Sequence, residues 1–69
     1  MKVTKKEYKH IDQIESNFQF RNGKGFIFLK DKLTKNIVYT INDISRWPDE
    51  DKKNYFVLSE DYSKWEEIN

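Results

Sequence analysis

No cysteine and no alanine occur among the 69 residues, and there are only one histidine, one proline and two glycines. Without thiols the chain can form neither a disulfide nor a thiolate zinc site. His10 has no cysteine and no clustered carboxylate beside it, so it reads as a surface side chain rather than a metal ligand or a catalytic base. No apolar run approaches membrane-spanning length and no cleavable signal pattern is present. The chain therefore reads as soluble and cytoplasmic, with no membrane partner. Missing alanine beside abundant Lys, Asn, Ile and Asp is the composition that AT-rich codons give, which points to a low-GC bacterium or its phage. Gly23 and Gly25 make a Gly-x-Gly pair, but no third glycine follows and a strand pattern comes next. That excludes the dinucleotide-binding fingerprint and leaves a hairpin turn. A Gly-x-Ser-x-Gly elbow and a His-Glu-x-x-His pair are both missing. A non-enzymatic protein with no cofactor and no metal is expected.

What the chain does have is rings and charge. It carries five Phe, four Tyr and two Trp. A single domain spanning residues 1–69 buries only roughly 60% of the surface its unfolded form exposes. Aromatics, each burying on the order of 150–250 Å², must supply much of that core, and a homodimer is a second way to complete it. The net charge of +1 hides an asymmetry. Residues 1–35 hold nine basic and four acidic side chains (+5), while residues 36–69 hold four and eight (−4). A chain polarised in this way can offer a basic face to a polyanion.

Thr4-Lys5-Lys6-Glu7 fits a capping box. Tyr8, Ile11, Ile14 and Phe18 then recur every three to four residues, which predicts an amphipathic helix over Thr4–Ser16, with Lys5, Lys6, Lys9, Asp12 and Glu15 on its wet side. Asn17–Arg21 alternates as a half-buried strand does, and Asn22–Gly25 turns the chain. Phe26–Lys30 and Ile37–Ile41 are strands, the latter extending in bent form toward Trp47. Pro48–Asn54 reads as an exposed loop, and Tyr55–Leu58 as the last strand. Ser59, followed by Glu60 and Asp61, has the signature of an N-cap, with Tyr62, Trp65 and Ile68 on one face of a short C-terminal helix. The fold class is α+β: an N-terminal helix, a three- or four-stranded antiparallel sheet and a short C-terminal helix.

Lys24-Gly25-Phe26-Ile27-Phe28-Leu29-Lys30 is the densest apolar stretch, and its side chains point alternately to both faces of a strand. Such a strand is central and covered on both sides, or it presents one face to a partner. Phe26 and Phe28 share one face, Ile27 and Leu29 the other. If the aliphatic face packs on the helices, Phe20, Phe26, Phe28 and Tyr39 form a platform for stacking bases. Arg21, Lys24, Lys30, Lys32 and Lys35 then flank it as phosphate contacts. The competing reading is that alternating aromatics are core and the lysines are only solvated.

Lys24–Leu29 resembles the Lys-Gly-Phe-Gly-Phe-Ile strand motif of cold-shock domains and the related motif of RNA-recognition domains, departing from it at Ile27. The resemblance implies base stacking by the two phenylalanines. Asp43-Ile44-Ser45-Arg46-Trp47-Pro48-Asp49, then Tyr55-Phe56-Val57-Leu58-Ser59-Glu60-Asp61, then Trp65, resembles the C-terminal half of the positive-cofactor-four family. That resemblance implies a dimer binding single-stranded DNA, with Arg46 and Trp47 on the strand face and Trp65 in packing. The leading expectation is a binding module for single-stranded DNA or RNA. The alternative is a phage or mobile-element effector that binds and inhibits a host protein through its acidic half, Asp43–Glu67, with Trp47 and Trp65 as anchors.

Overall fold

Helix α1 (Lys5–Phe18) begins where the capping box places it. Glu7 N–H donates to the Thr4 hydroxyl at 3.1 Å, and Thr4 N–H donates back to the Glu7 carboxylate at 2.9 Å. Both donors would otherwise be left over at the helix start. The structure, a computed structural model, describes residues 1–18 and 26–68. The helix runs two residues past the expected Ser16. The remainder of the expected strand Asn17–Arg21 and the turn Asn22–Gly25 lie outside the described residues.

Four strands follow: β1 (Ile27–Asp31), β2 (Ile37–Thr40), β3 (Tyr55–Leu58) and β4 (Trp65–Glu67). They form one antiparallel sheet in the order β2-β1-β3-β4. The β1–β2 turn is closed by Asp31, whose carboxylate accepts the N–H groups of Leu33 at 2.8 Å and Thr34 at 3.1 Å. Lys35 takes the left-handed conformation there, φ 66°. Central β1 is covered on both faces, which explains its unbroken apolar run.

Phe28 is 2% exposed and packs with Ile11 of α1 and Trp65 of β4; Val3, Ile14, Phe56 and Leu58 surround this core. On the opposite face Leu29 is 1% exposed. The register places Leu29 beside Val57, on the same face as Tyr55. There Trp47 sets its ring edge-on against Tyr55, centroids 5.9 Å apart.

Three segments take forms other than those expected, the third being the C-terminal helix predicted over Tyr62, Trp65 and Ile68, which is instead a loop and the strand β4. Ile44–Arg46 is a 3-10 helix rather than the end of a strand, because the Asp43 carboxylate caps it by accepting Ser45 N–H at 2.9 Å. Asp49–Lys53, expected as loop, is a short helix, α2, that packs on β3. Its acids lie in the first turn and its lysines in the last, as the helix dipole favours.

The fold is α+β, with its short helix between β2 and β3. Ser59–Lys64 is a tight loop, and the chain returns as β4. The Ser59 hydroxyl donates to Asp61 at 2.7 Å and accepts the N–H groups of Ser63 and Lys64, both at 3.2 Å. Asp61 also accepts the hydroxyl and N–H of Ser63. These local bonds close the turn, and Tyr62 at φ 63° reverses the chain. Trp65 then pairs with Leu58 and is buried. Outside β4, Val3 N–H donates to the Ser63 carbonyl and Trp65 N–H to the Met1 carbonyl, so residues 1–3 line the end of the sheet.

Candidate nucleic-acid interface

The residues singled out in the sequence do not converge. Phe28 lies under α1, so it is a core residue and not a stacking platform. Burying a Phe side chain contributes roughly 1.5–3 kcal/mol, and a stacked base would return about 1–3 kcal/mol. Extracting the ring to meet a base therefore gains nothing. Phe26 is half-buried, edge-on to Phe28 at 5.9 Å and to Tyr39 at 4.7 Å. Tyr39 keeps an exposed ring on the same face as Phe28. Phe20, Arg21 and Lys24 lie outside the described residues.

Two of the expected phosphate-binding lysines are already engaged by carboxylates. Lys30 Nζ meets the Glu7 carboxylate at 2.5 Å, and the two side chains are only 11% and 14% exposed. The Lys30 ammonium also lies 5.9 Å from the centre of the Trp65 ring. Lys32 donates to both oxygens of Glu67, at 2.8 and 2.6 Å, and sits over the Phe56 ring at 4.8 Å. Lys35 is exposed in the β1–β2 turn, and Arg46 is exposed at the end of the 3-10 helix. Trp47 is half-buried against Tyr55, on the side of the sheet away from Phe28. Trp65, expected in packing by one reading and as an anchor by the other, is core at 3% exposure.

Glu7 accounts for much of this arrangement. Its carboxylate accepts from Thr4 N–H and from the Trp65 indole N–H at 3.3 Å, and pairs with Lys30. Burial pushes the carboxyl upward, but the bonds from Lys30, Thr4 and Trp65 together outweigh it, so Glu7 is held below the ordinary carboxylate range. Glu7 thus occupies the inward position that the apolar spacing had given to Tyr8. The Tyr8 ring, 52% exposed, lies at the border of the buried stripe and stands edge-on to Tyr62 at 6.4 Å.

Turning Glu7 inward leaves a different surface basic. Lys5, Lys6 and Lys9 of α1 are all exposed, and among residues 1–11 Glu7 is the sole acid. Lys5 and Lys9 are one turn apart on α1, and Tyr8 lies one turn from Lys5. Asp12 is the nearest acid along the helix. The apolar spacing places Lys5, Lys6 and Lys9 only on the wet side of the helix. The signal that could have found the surface was the +5 charge of the first half, combined with a capping-box glutamate that faces the sheet.

A cleft of about 480 Å³ opens where β1 begins and β3 ends, lined mainly by Phe26, Ile27, Ile44, Leu58 and Tyr62. Of the hydroxyls in its wall, that of Ser59 is used within the 59–64 loop and that of Tyr62 donates to Glu15. Among the described residues, no group of three His, Cys, Asp or Glu side chains could hold a metal ion, and no helix is long and apolar enough to cross a membrane. No family model, curated protein or solved structure matches the chain.

Proposed function

We propose that this protein is a non-enzymatic binding module for single-stranded DNA or RNA, with its basic surface on α1 rather than on the sheet. The carrying observation is the set of exposed lysines at 5, 6 and 9 on α1, where Glu7, the acid between them, is committed to Lys30 and the next acid, Asp12, lies beyond Lys9. An exposed ring among lysines is the pairing that single strands use: bases stack on the aromatic while ammonium groups track the phosphates. Tyr8 supplies the ring.

Three lysine contacts predict a logarithmic salt slope of about −2 for a single strand. Fluorescence anisotropy of labelled oligo-dT at two salt concentrations tests this, with K5Q/K9Q and Y8A as variants. The double variant is expected to flatten the slope by about 1.4, and Y8A to weaken binding about tenfold without changing the slope. No binding at low salt, or binding indifferent to salt, removes the reading.

A second reading, compatible with the first, is favoured by Leu33, Val38 and Ile41. All three side chains are exposed, Leu33 in the β1–β2 turn and Val38 and Ile41, the latter by 69%, in the uncharged stretch Ile37–Ile41. Such a surface suits self-association or a host-protein partner better than water. Sedimentation velocity of the wild type against I41K distinguishes a dimer from a monomer. Equal, monomeric sedimentation of both at high concentration excludes the dimer.

A further inference from the structure

Lys2 and Lys64 are partners in an antiparallel bridge. The flanking hydrogen bonds, Val3 N–H to the Ser63 carbonyl at 3.0 Å and Trp65 N–H to the Met1 carbonyl at 2.7 Å, make theirs a non-hydrogen-bonded pair. In that arrangement opposed Cα atoms approach to about 4.5 Å and side chains come closest. Val3 and Trp65 pack in the core, so strand alternation sends Lys2 and Lys64 to the other side. Both are exposed.

Like charges directly opposite one another destabilise a ladder. One carboxylate touches the pair: Glu66 lies 3.8 Å from Lys64, with the two side chains 47% and 57% exposed. Among the described residues no carboxylate lies within ion-pair reach of Lys2. Glu66 offers that pair one loose, solvated contact, on Lys64 alone. A tetrahedral oxyanion held between the two ammonium groups would remove their repulsion, because each ammonium can donate to a separate oxygen.

We propose that Lys2 and Lys64 form a two-ammonium clamp for a phosphate group, in the protein's working state a phosphate of the bound polynucleotide. Naming the polynucleotide as the source rests on the function proposed above; the clamp itself does not.

The signature is a change of opposite sign in stability and in binding. Wild type, K2Q and K64Q are melted at low ionic strength in chloride, and again with inorganic phosphate at matched ionic strength. In chloride each variant is expected to melt about 2–4 °C above the wild type, because the repulsion is gone. Phosphate is expected to raise the wild-type Tm beyond what chloride does, and either substitution is expected to abolish that gain. In oligo-dT titrations each variant should flatten the salt slope by about 0.7.

A K64Q Tm at or below the wild-type value in chloride overturns the clamp, since the lysines would then stabilise the fold by packing. Phosphate acting no more strongly than chloride also overturns it. A phosphate-specific gain without any oligo-dT binding upholds the clamp and removes the polynucleotide reading.

Discussion

Removing Glu7 is the most informative perturbation of this fold, because one carboxylate serves the helix cap, the Lys30 ammonium and the Trp65 indole. Breaking a buried ion pair by deleting one partner typically costs 3–5 kcal/mol, most of it the uncompensated charge left behind. The Glu7 and Lys30 side chains keep 14% and 11% of their exposure, which brings the cost to or just below the bottom of that range, about 2–3 kcal/mol. Loss of the reciprocal cap adds about 1 kcal/mol in E7A. A domain of this length holds roughly 3–10 kcal/mol in all. E7A is therefore expected to lose about 3–4 kcal/mol, roughly a third of the total or more. E7Q, which can still accept from Thr4 N–H, is expected to lose about 2 kcal/mol and remain folded.

The pair is isolated by a cycle of E7Q, K30M and E7Q/K30M in urea, followed by tryptophan fluorescence and circular dichroism. The double variant should recover about 1–2 kcal/mol relative to the sum of the singles. Additivity within about 0.3 kcal/mol would refute the claim that this pair anchors α1 to the sheet.

The cycle also carries a pH signature. The Glu7 carboxyl is depressed in the folded state, so its contribution is fully present above the unfolded carboxyl pKa. It is lost as the pH falls through the lower folded value. The stability gap between wild type and E7Q should hold at neutral pH and close below about pH 4. A gap that is constant down to pH 2 would mean the charge is not what matters.

Two further outcomes follow from the packing. F28A should cost about 3–5 kcal/mol and abolish cooperative unfolding, because it empties the contact between Ile11 and Trp65; a well-folded F28A would mean the ring is not core. Tyr62 donates its phenol to Glu15 at 2.7 Å, and burial, that bond and the nearby Glu15 charge raise its pKa to about 12. Since the folded phenol pKa is raised, its stabilisation is intact below about pH 10 and lost above that. An ultraviolet titration should show one late tyrosine that disappears in Y62F.

Local features of this fold were legible in the sequence, and pairings distant along the chain were not. The Thr4–Glu7 capping box and the strand Tyr55–Leu58 appear as read, because each is set by neighbours within four residues. The loop Ser59–Lys64 shows where local reading fails on its own ground. Serine followed by two acids can cap a helix or knot a turn with the same oxygens, and only burial of Trp65 against Leu58 decides for the turn. The candidate site failed for a longer-range reason. Phe28 was read as either core or platform, and the choice depended on which face of β1 would receive α1. Lys30 and Lys32 were counted as available cations, yet their carboxylates come from Glu7 and Glu67, 23 and 35 residues away in sequence.

A lysine beside an aromatic strand therefore says little about ligands until every acid in the chain has been placed. Here the placement works in both directions. Glu7, turned inward to neutralise Lys30, leaves the start of α1 more positive, whereas Glu67 neutralises Lys32 while staying 63% exposed on β4. The same reasoning makes the Lys2–Lys64 bridge informative: of the opposed lysines at that edge, one has a single loose carboxylate and the other none among the described residues.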